Sequence, residues 1–167
     1  MRLDFDEGEE CGMVVKTFGM KIENQIYRTR VGVHFVIFDQ DRKQILLVSP
    51  PNGSFLLPGG EIEANETHEE TAKRESMEEL GFEIELGEFI GEAEDYYYSK
   101  HRKQHYHNPA YFYTIKSWKS IFDPLEDFNQ LEWMTISEAL TKLKRGSHKW
   151  AVQQFEKTYV EMSQSIE

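Results

Sequence analysis

Glu75, Glu78 and Glu79 are the residues most able to do chemistry in this chain. On a helix they stand at i, i+3 and i+4, so all three project from one face with Cβ atoms about 5–6 Å apart. Three like charges that close cost a bare helix a few tenths of a kcal/mol per pair. Arg74, four residues before Glu78 and four after Glu70, offsets part of this repulsion. A divalent cation would offset more. Hard ions such as Mg2+ or Mn2+ take carboxylate oxygens and waters and leave positions for phosphate oxygens. Just upstream, Gly59-Gly60 lets the backbone approach the same cleft, and a glycine carbonyl is itself a possible metal ligand.

The elements that must position these groups are legible around them. Thr67 to Leu80 lacks Gly and Pro and is rich in helix formers; Asn65 or Thr67 can cap its start, and Gly81 stands where a C-terminal glycine belongs. Ala72, Ser76, Met77 and Leu80 form its opposite, weakly apolar face. Val14 to Arg30, with a turn at Glu23-Asn24, reads as an N-terminal strand pair. Val31 to Asp39 reads as a central strand, with Gln44 to Ser49 as its partner. Further short strands are expected at Ser54–Leu57, Phe82–Phe89, Tyr96–Tyr98, Ala110–Trp118 and Leu131–Met134. A helix capped by Ser137 should run to about Arg145, Gly146 should break the chain, and His148 to about Ser163 should form a last amphipathic helix. Strands and helices mix without strict βαβ alternation, which predicts an α+β arrangement: a mixed sheet with helices on its faces.

With 167 residues and no visible linker or repeat, the chain reads as one domain over 1–167, with residues 1–12 frayed and 147–163 as an additional helix. Its net charge of −11 argues against a nucleic-acid polymer as partner, and any small phosphate substrate then needs local cations. Cys11 alone permits no intrachain disulfide. The acidic MRLDFDEGEE start does not read as a secretory signal, and the longest apolar stretch, Val31–Phe38, is far too short to span a bilayer. These features predict a cytoplasmic protein with no membrane partner. Trp150, Val152, Phe155 and Tyr159 on the last helix leave monomer or homodimer open, with packing on the sheet the favoured use.

The segment from Gly60 to Phe82 resembles the Nudix box: Gly60, Glu66, Arg74-Glu75, Met77, Glu78-Glu79, Gly81 and Phe82 stand at its spacing. By composition such a match arises by chance about once in 10⁵ chains of this kind. Ser76 departs from the usual apolar residue, which should weaken packing and spare the chemistry. Asn65 replaces a usual glycine, which a left-handed position tolerates. The resemblance extends loosely over Val14 to Arg145 and implies a MutT-like αβα sandwich with a curved mixed sheet.

It also implies roles. Glu75 and Glu79 would be the main metal ligands, with Glu78 and the Gly60 carbonyl assisting. Glu66 and Arg74 would form an ion pair tying loop to helix. The implied activity is metal-dependent pyrophosphohydrolysis of a nucleoside diphosphate linked to another group, with Mg2+ or Mn2+ as cofactor. The general base stays open, Glu126 first, then Asp127 and Glu132. The run Tyr96–His107 gathers Lys100, Arg102, Lys103 and Tyr98 as candidate substrate contacts; the alternative is a solvated hairpin tip. His101, His105 and His107 alternate there, but strand-edge histidines explain them better than a metal site does. A non-catalytic nucleotide sensor on the same fold is the competing function, disfavoured because a binder needs no three repelling carboxylates. An isomerase acting on an isoprenoid diphosphate ranks third.

Overall fold

The computed structural model describes residues 15–51 and 53–164; the acidic start, Cys11 and the last three residues lie outside them. Strands β1 (Lys16–Phe18), β2 (Arg28–Thr29), β3 (Gly32–Val36), β5 (Gly59–Glu61), β6 (Phe82–Ser99) and β7 (Gln104–Ser120) build a mixed sheet in the order β1-β6-β7-β3-β5, with β2 also on β7. Strands β4 (Ile45–Ser49) and β8 (Gln130–Met134) pair antiparallel in a second, two-stranded sheet. Helices α1 (His68–Leu80), α2 (Ile136–Lys142) and α3 (Gly146–Gln164) complete the fold.

Strand alternation divides the core into two apolar layers. On β3, Val33 and Phe35 join Leu46, Val48, Ala72, Leu80 and Ile84 on the α1 side. Val36 joins Ile45, Leu47, Phe112, Met134, Leu143 and Val152 on the side of α2 and α3. The result is the predicted αβα sandwich around a mixed sheet. Trp150 and Phe155 pack on the second layer together with buried Val152, so these apolar residues of α3 are used within the chain.

Several sequence expectations are corrected. β1 and β2 do not pair with each other; each lies parallel to an arm of the β6–β7 hairpin. β2 and β3 follow β7 in one register, Arg28 opposite Tyr106 and Gly32 opposite Ala110. β4 leaves β3 after a tight turn, because β7 and β5 already occupy both edges of β3. Ser54–Leu57 makes only isolated bridges, and the strand falls instead on Gly59–Glu61. The separate strands expected between Phe82 and Trp118 are two long ones, whose register slips between Glu85 and Gly91 accommodate Gly87 and Gly91. Thr135, not Ser137, caps α2, which ends at Lys142, and Gly146 begins α3 instead of interrupting the chain.

α1 follows its local code. The Thr67 side chain accepts the Glu70 N–H, and Gly81, at φ 69°, closes the helix in the left-handed conformation. Asn65 is left-handed at φ 64°. Ser76 is fully buried, and its hydroxyl donates to the Phe82 carbonyl at 3.0 Å, which satisfies that polar group on the packed face. Thr71 is buried there too, whereas Met77 is only half-buried.

Candidate active site

The acidic face of α1 is turned toward β5, and Arg74 organises it. Its guanidinium makes a two-pronged pair with Glu66, Nε to Oε2 at 2.7 Å and Nη2 to Oε1 at 2.9 Å. The same group donates to the Glu61 carbonyl at 2.9 Å, to Glu75 at 2.8 Å and to Glu78 at 3.3 Å. Glu66 further accepts the Glu63 N–H and the Thr71 hydroxyl. With the Arg74 hydrogen bond as the main cause, its carboxyl is held down at about 2. The loop before α1 is thereby fastened to the helix by groups from both.

Glu79 reaches the other side of the turn, where its Oε1 accepts the Gly59 N–H at 2.8 Å. Glu75 lies against Gly60 so closely that a Cβ on Gly60 would run into its carboxylate. Burial pushes the Glu75 carboxyl up to about 7, with the Glu78 and Glu126 charges adding to the effect. Burial raises Glu79 well above the ordinary range, and Glu75, Glu126 and Glu78 raise it further. Glu126 comes from the loop before β8, which is tied to α1 by the Glu126 N–H donating to the Glu78 carbonyl at 2.9 Å. Asn129 steadies its carboxylate at 3.2 Å. Asp127 and Glu132 are exposed, and Glu132 stands opposite Leu47 on β8. Among the described residues no three acids or histidines are gathered closely enough to cage a metal, since Arg74 lies between Glu75 and Glu78 and Gly59 engages Glu79.

Two buried histidines hold the segment leading into this turn. The Leu57 N–H donates to His148 Nδ1 at 3.0 Å, and His34 Nδ1 lies 3.2 Å from the Leu57 carbonyl. His148 therefore carries its proton on Nε2, and His34 carries its own on Nδ1. Burial lowers His34 to about 4 and places His148 well below its ordinary value. Both rings should stay neutral, each in that single tautomer, in 15N NMR spectra recorded at pH 5.5; a charged ring or the other tautomer would contradict the geometry. An unfolded chain protonates histidine near 6.5, so their contribution to stability is complete above that pH. It is lost as pH falls toward 4, on the order of 3 kcal/mol for His34. The raised Glu75 works in the opposite sense, costing stability as pH climbs from its unfolded value near 4.5 through about 7.

Beside the same turn, on the α3 face of the sheet, a cavity of about 160 Å³ opens between β3, β5, the β6–β7 hairpin and the start of α3. It shares Gly59, Gly60 and Glu61 with the carboxylate site and adds Arg30, His34, Asp95, Asn108, Arg145 and His148. Asp95 accepts both the backbone N–H and the hydroxyl of Ser147, fixing the first turn of α3 to β6. Sequence reading missed this cavity. The one local signal was His34 inside an otherwise apolar strand.

Lys100, Arg102, Lys103 and Tyr98 lie elsewhere, at the exposed tip of the β6–β7 hairpin. None borders the cavity, because unbroken pairing from Asp95/Asn108 to Ser99/Gln104 carries the tip about 13 Å outward. His107 pairs with Glu94 at 2.7 Å and stacks on Tyr96, and His105 packs on Tyr27 and Tyr98.

A carboxylate-lined helix packed on a mixed sheet, with a glycine turn facing it, defines the site. The chain matches the NUDIX domain family over residues 28–155 and belongs to that family. It is similar to Nudix hydrolase 21, chloroplastic, of Arabidopsis thaliana, at 30% identity over 114 residues, covering 67% of this chain and 56% of that protein. Nudix hydrolase 4 of the same plant is 34% identical over 97 residues, covering 58% of this chain and 45% of its own length. The chain thus spans about half the length of these relatives. In three dimensions it resembles the E. coli dihydroneopterin triphosphate pyrophosphohydrolase with a TM-score of 0.61 at 21% identity, over 78% of this chain and 97% of that one, a likeness of fold. No helix among the described residues is long and apolar enough to cross a membrane.

Proposed function

We propose that this protein is a divalent-metal-dependent pyrophosphohydrolase that cuts the phosphoanhydride bond of a nucleoside diphosphate derivative. The observation that carries the reading is that Glu79 and Glu75 lie against the Gly59–Gly60 turn, where burial and the Glu78 and Glu126 charges oppose their ionisation. Buried acids in mutual repulsion are a stability cost that a bound cation removes. The donor set is all oxygen, as Mg2+ or Mn2+ prefers, and the absence of a Cβ at Gly60 makes room for the Glu75 carboxylate against the turn. Glu75 and Glu79 would hold the metal, with Glu78 and the Gly60 carbonyl in support. When bound, the metal supplies charge neutralisation at the phosphates and an acidified water.

The residues of the chain do the rest. Arg74 keeps Glu75 and Glu78 on one side of the turn and, through Glu66 and the Glu61 carbonyl, prevents the loop from swinging away. Glu126 is the base we assign, since it alone among the three candidate acids stands close enough to raise Glu75 and Glu79. Glu126→Gln should lower kcat by about 10²-fold or more, the ordinary size of a general-base contribution; turnover within threefold of the parent would remove the assignment. We keep Lys100, Arg102, Lys103 and Tyr98 for the part of the substrate farthest from the cut.

The test of the function is a panel of oxidised nucleoside triphosphates, dinucleoside polyphosphates, nucleotide sugars and ADP-ribose, assayed with Mg2+ and with Mn2+. Release of a nucleoside monophosphate from at least one, abolished by EDTA, is expected; no cleavage of any would overturn the reading. A small-molecule substrate, not a nucleic-acid polymer, suits a chain with net charge −11.

A further inference from the structure

We propose that the end of the molecule built from the 19–27 loop and the β6–β7 hairpin tip docks on an anionic lipid surface, with Met20, Ile22 and Ile26 entering the headgroup layer. This goes beyond the hydrolase reading and does not depend on it.

The loop is fastened across the hairpin. It leaves β1 where Phe18 stands opposite Asp95, and it returns in β2 where Arg28 stands opposite Tyr106. Gly19, at φ 77°, lies so close to the Tyr96 carbonyl that a Cβ would not fit. Tyr27 turns inward. Its ring meets Tyr96 and His105 edge-on at 5.2 and 5.5 Å, and its hydroxyl accepts the Ile22 N–H at 2.9 Å. With Tyr27 on the inside, the aliphatic side chains of the loop are left outside. Met20 and Ile26 are each 84% exposed and Ile22 is 53% exposed. Apolar side chains gathered on one surface and held in water by a fastened backbone gain by entering a less polar medium.

Charge says which medium. Residues 16–28 and 96–107 together hold six Lys or Arg and one acid, Glu23, in a chain whose net charge is −11. Lys21 stands between Met20 and Ile22. Lys100, Arg102 and Lys103, which the far part of a substrate would also meet, begin just past Ser99, about 10 Å along β6 from Tyr96. Glu94 beside them is taken up by His107 at 2.7 Å. Aliphatic side chains among cations match an anionic headgroup layer, and such docking needs no spanning helix. The other exposed apolar loop, with Leu125 and Phe128, carries Asp123, Glu126 and Asp127, which the same layer would repel. Met20, Ile22 and Ile26 each project singly. A deformable lipid layer can surround them on all sides, which the face of a folded acidic protein does not do.

The test uses the full chain, sedimented with vesicles of equal parts phosphatidylcholine and phosphatidylserine or of phosphatidylcholine alone. Saturable binding to the anionic vesicles only, lost at about 1 M salt, is expected. Replacing Met20, Ile22 and Ile26 together by Ser should weaken it about tenfold or more, with hydrolysis of a nucleotide in free solution unchanged. Spin-labelled lipid should broaden the methyl signals of Met20 and Ile26 and spare that of Leu125. Absence of binding to the anionic vesicles overturns the proposal, as does equal binding to the neutral ones. Binding that the triple variant leaves intact overturns it too, since charge alone would then suffice. So does loss of hydrolysis in that variant, which would place these side chains in the hydrolytic site. Saturable binding of polyglutamate without binding of vesicles would assign the surface to an acidic protein instead. If the triple variant does not fold, the wild-type vesicle and spin-label measurements decide. Vesicle binding and hydrolysis are measured separately, so either can fail while the other stands.

Discussion

Glu79→Gln is expected to slow hydrolysis about 10³-fold while making the metal-free protein more stable at pH 8. The side chain is the most enclosed of the α1 acids, and its carboxyl lies far above the ordinary range because burial and three neighbouring carboxylates oppose ionisation. The amide oxygen of Gln can still accept the Gly59 N–H, so the turn keeps its anchor. What disappears is a charge: for the proposed metal, a ligand worth several kcal/mol to the transition state, of which about 4 kcal/mol corresponds to 10³ in rate. In the metal-free protein the same change removes an acid that ionises at a cost, worth about 1 kcal/mol on the scale of close like-charge pairs and partial desolvation. Phosphate-release kinetics and urea midpoints in EDTA check the two halves. A variant that lost activity because it lost stability would not fit this account.

Gly59→Ala should have the largest effect on the fold around the site, about 2–6 kcal/mol. Gly59 is held at φ +137°, a conformation that strains an L residue by about 1–3 kcal/mol. A Cβ there would also meet the Val33 carbonyl and come within 2.7 Å of the His34 Cα, both parts of the central strand. Neither can yield without breaking the β3–β5 pairing that seats the turn, and such overpacking costs about 1–3 kcal/mol more. The Gly59 N–H would no longer meet Glu79, so turnover falls with stability. Thermal denaturation and activity at a temperature where the variant remains folded separate the two effects. A midpoint within about 1 °C of the parent would show that the turn is softer than its contacts imply.

What the sequence disclosed and what it hid divide along the range of the interactions. α1 was readable to its caps because Thr67, Gly81 and the i, i+3, i+4 glutamates are local signals. The left-handed Asn65 and the two-pronged Glu66–Arg74 pair span only a few residues. Val31 to Asp39 was readable as a central strand from its β-branched and aromatic residues, and strand alternation in the fold sends Val33 and Phe35 to one layer and Val36 to the other. The β4–β8 pairing did not, since it depends on which edges of β3 remain free once the long hairpin is in place. The cavity was illegible for the same reason. His34, Asp95, Asn108 and His148 come from four elements, and no spacing in the chain announces that the β6–β7 register sets Asp95 beside Asn108 while Ser147 pins α3 above them. The basic hairpin tip was conspicuous in composition, and the pairing of β6 with β7 sets it about 13 Å beyond Asp95 and Asn108.

The central claim is that Glu75, Glu78 and Glu79 gather a hard dication at the Gly59–Gly60 turn. Calorimetric titration of Mg2+ into the folded wild-type chain, repeated with the Glu79→Gln variant, measures this most directly. The account predicts saturable uptake by the wild type, proton release that grows as pH is lowered from 8 to 6 because Glu75 is protonated near 7, and loss of that uptake in the variant. Absence of saturable uptake by the wild type, or uptake that Glu79→Gln leaves intact, would contradict it.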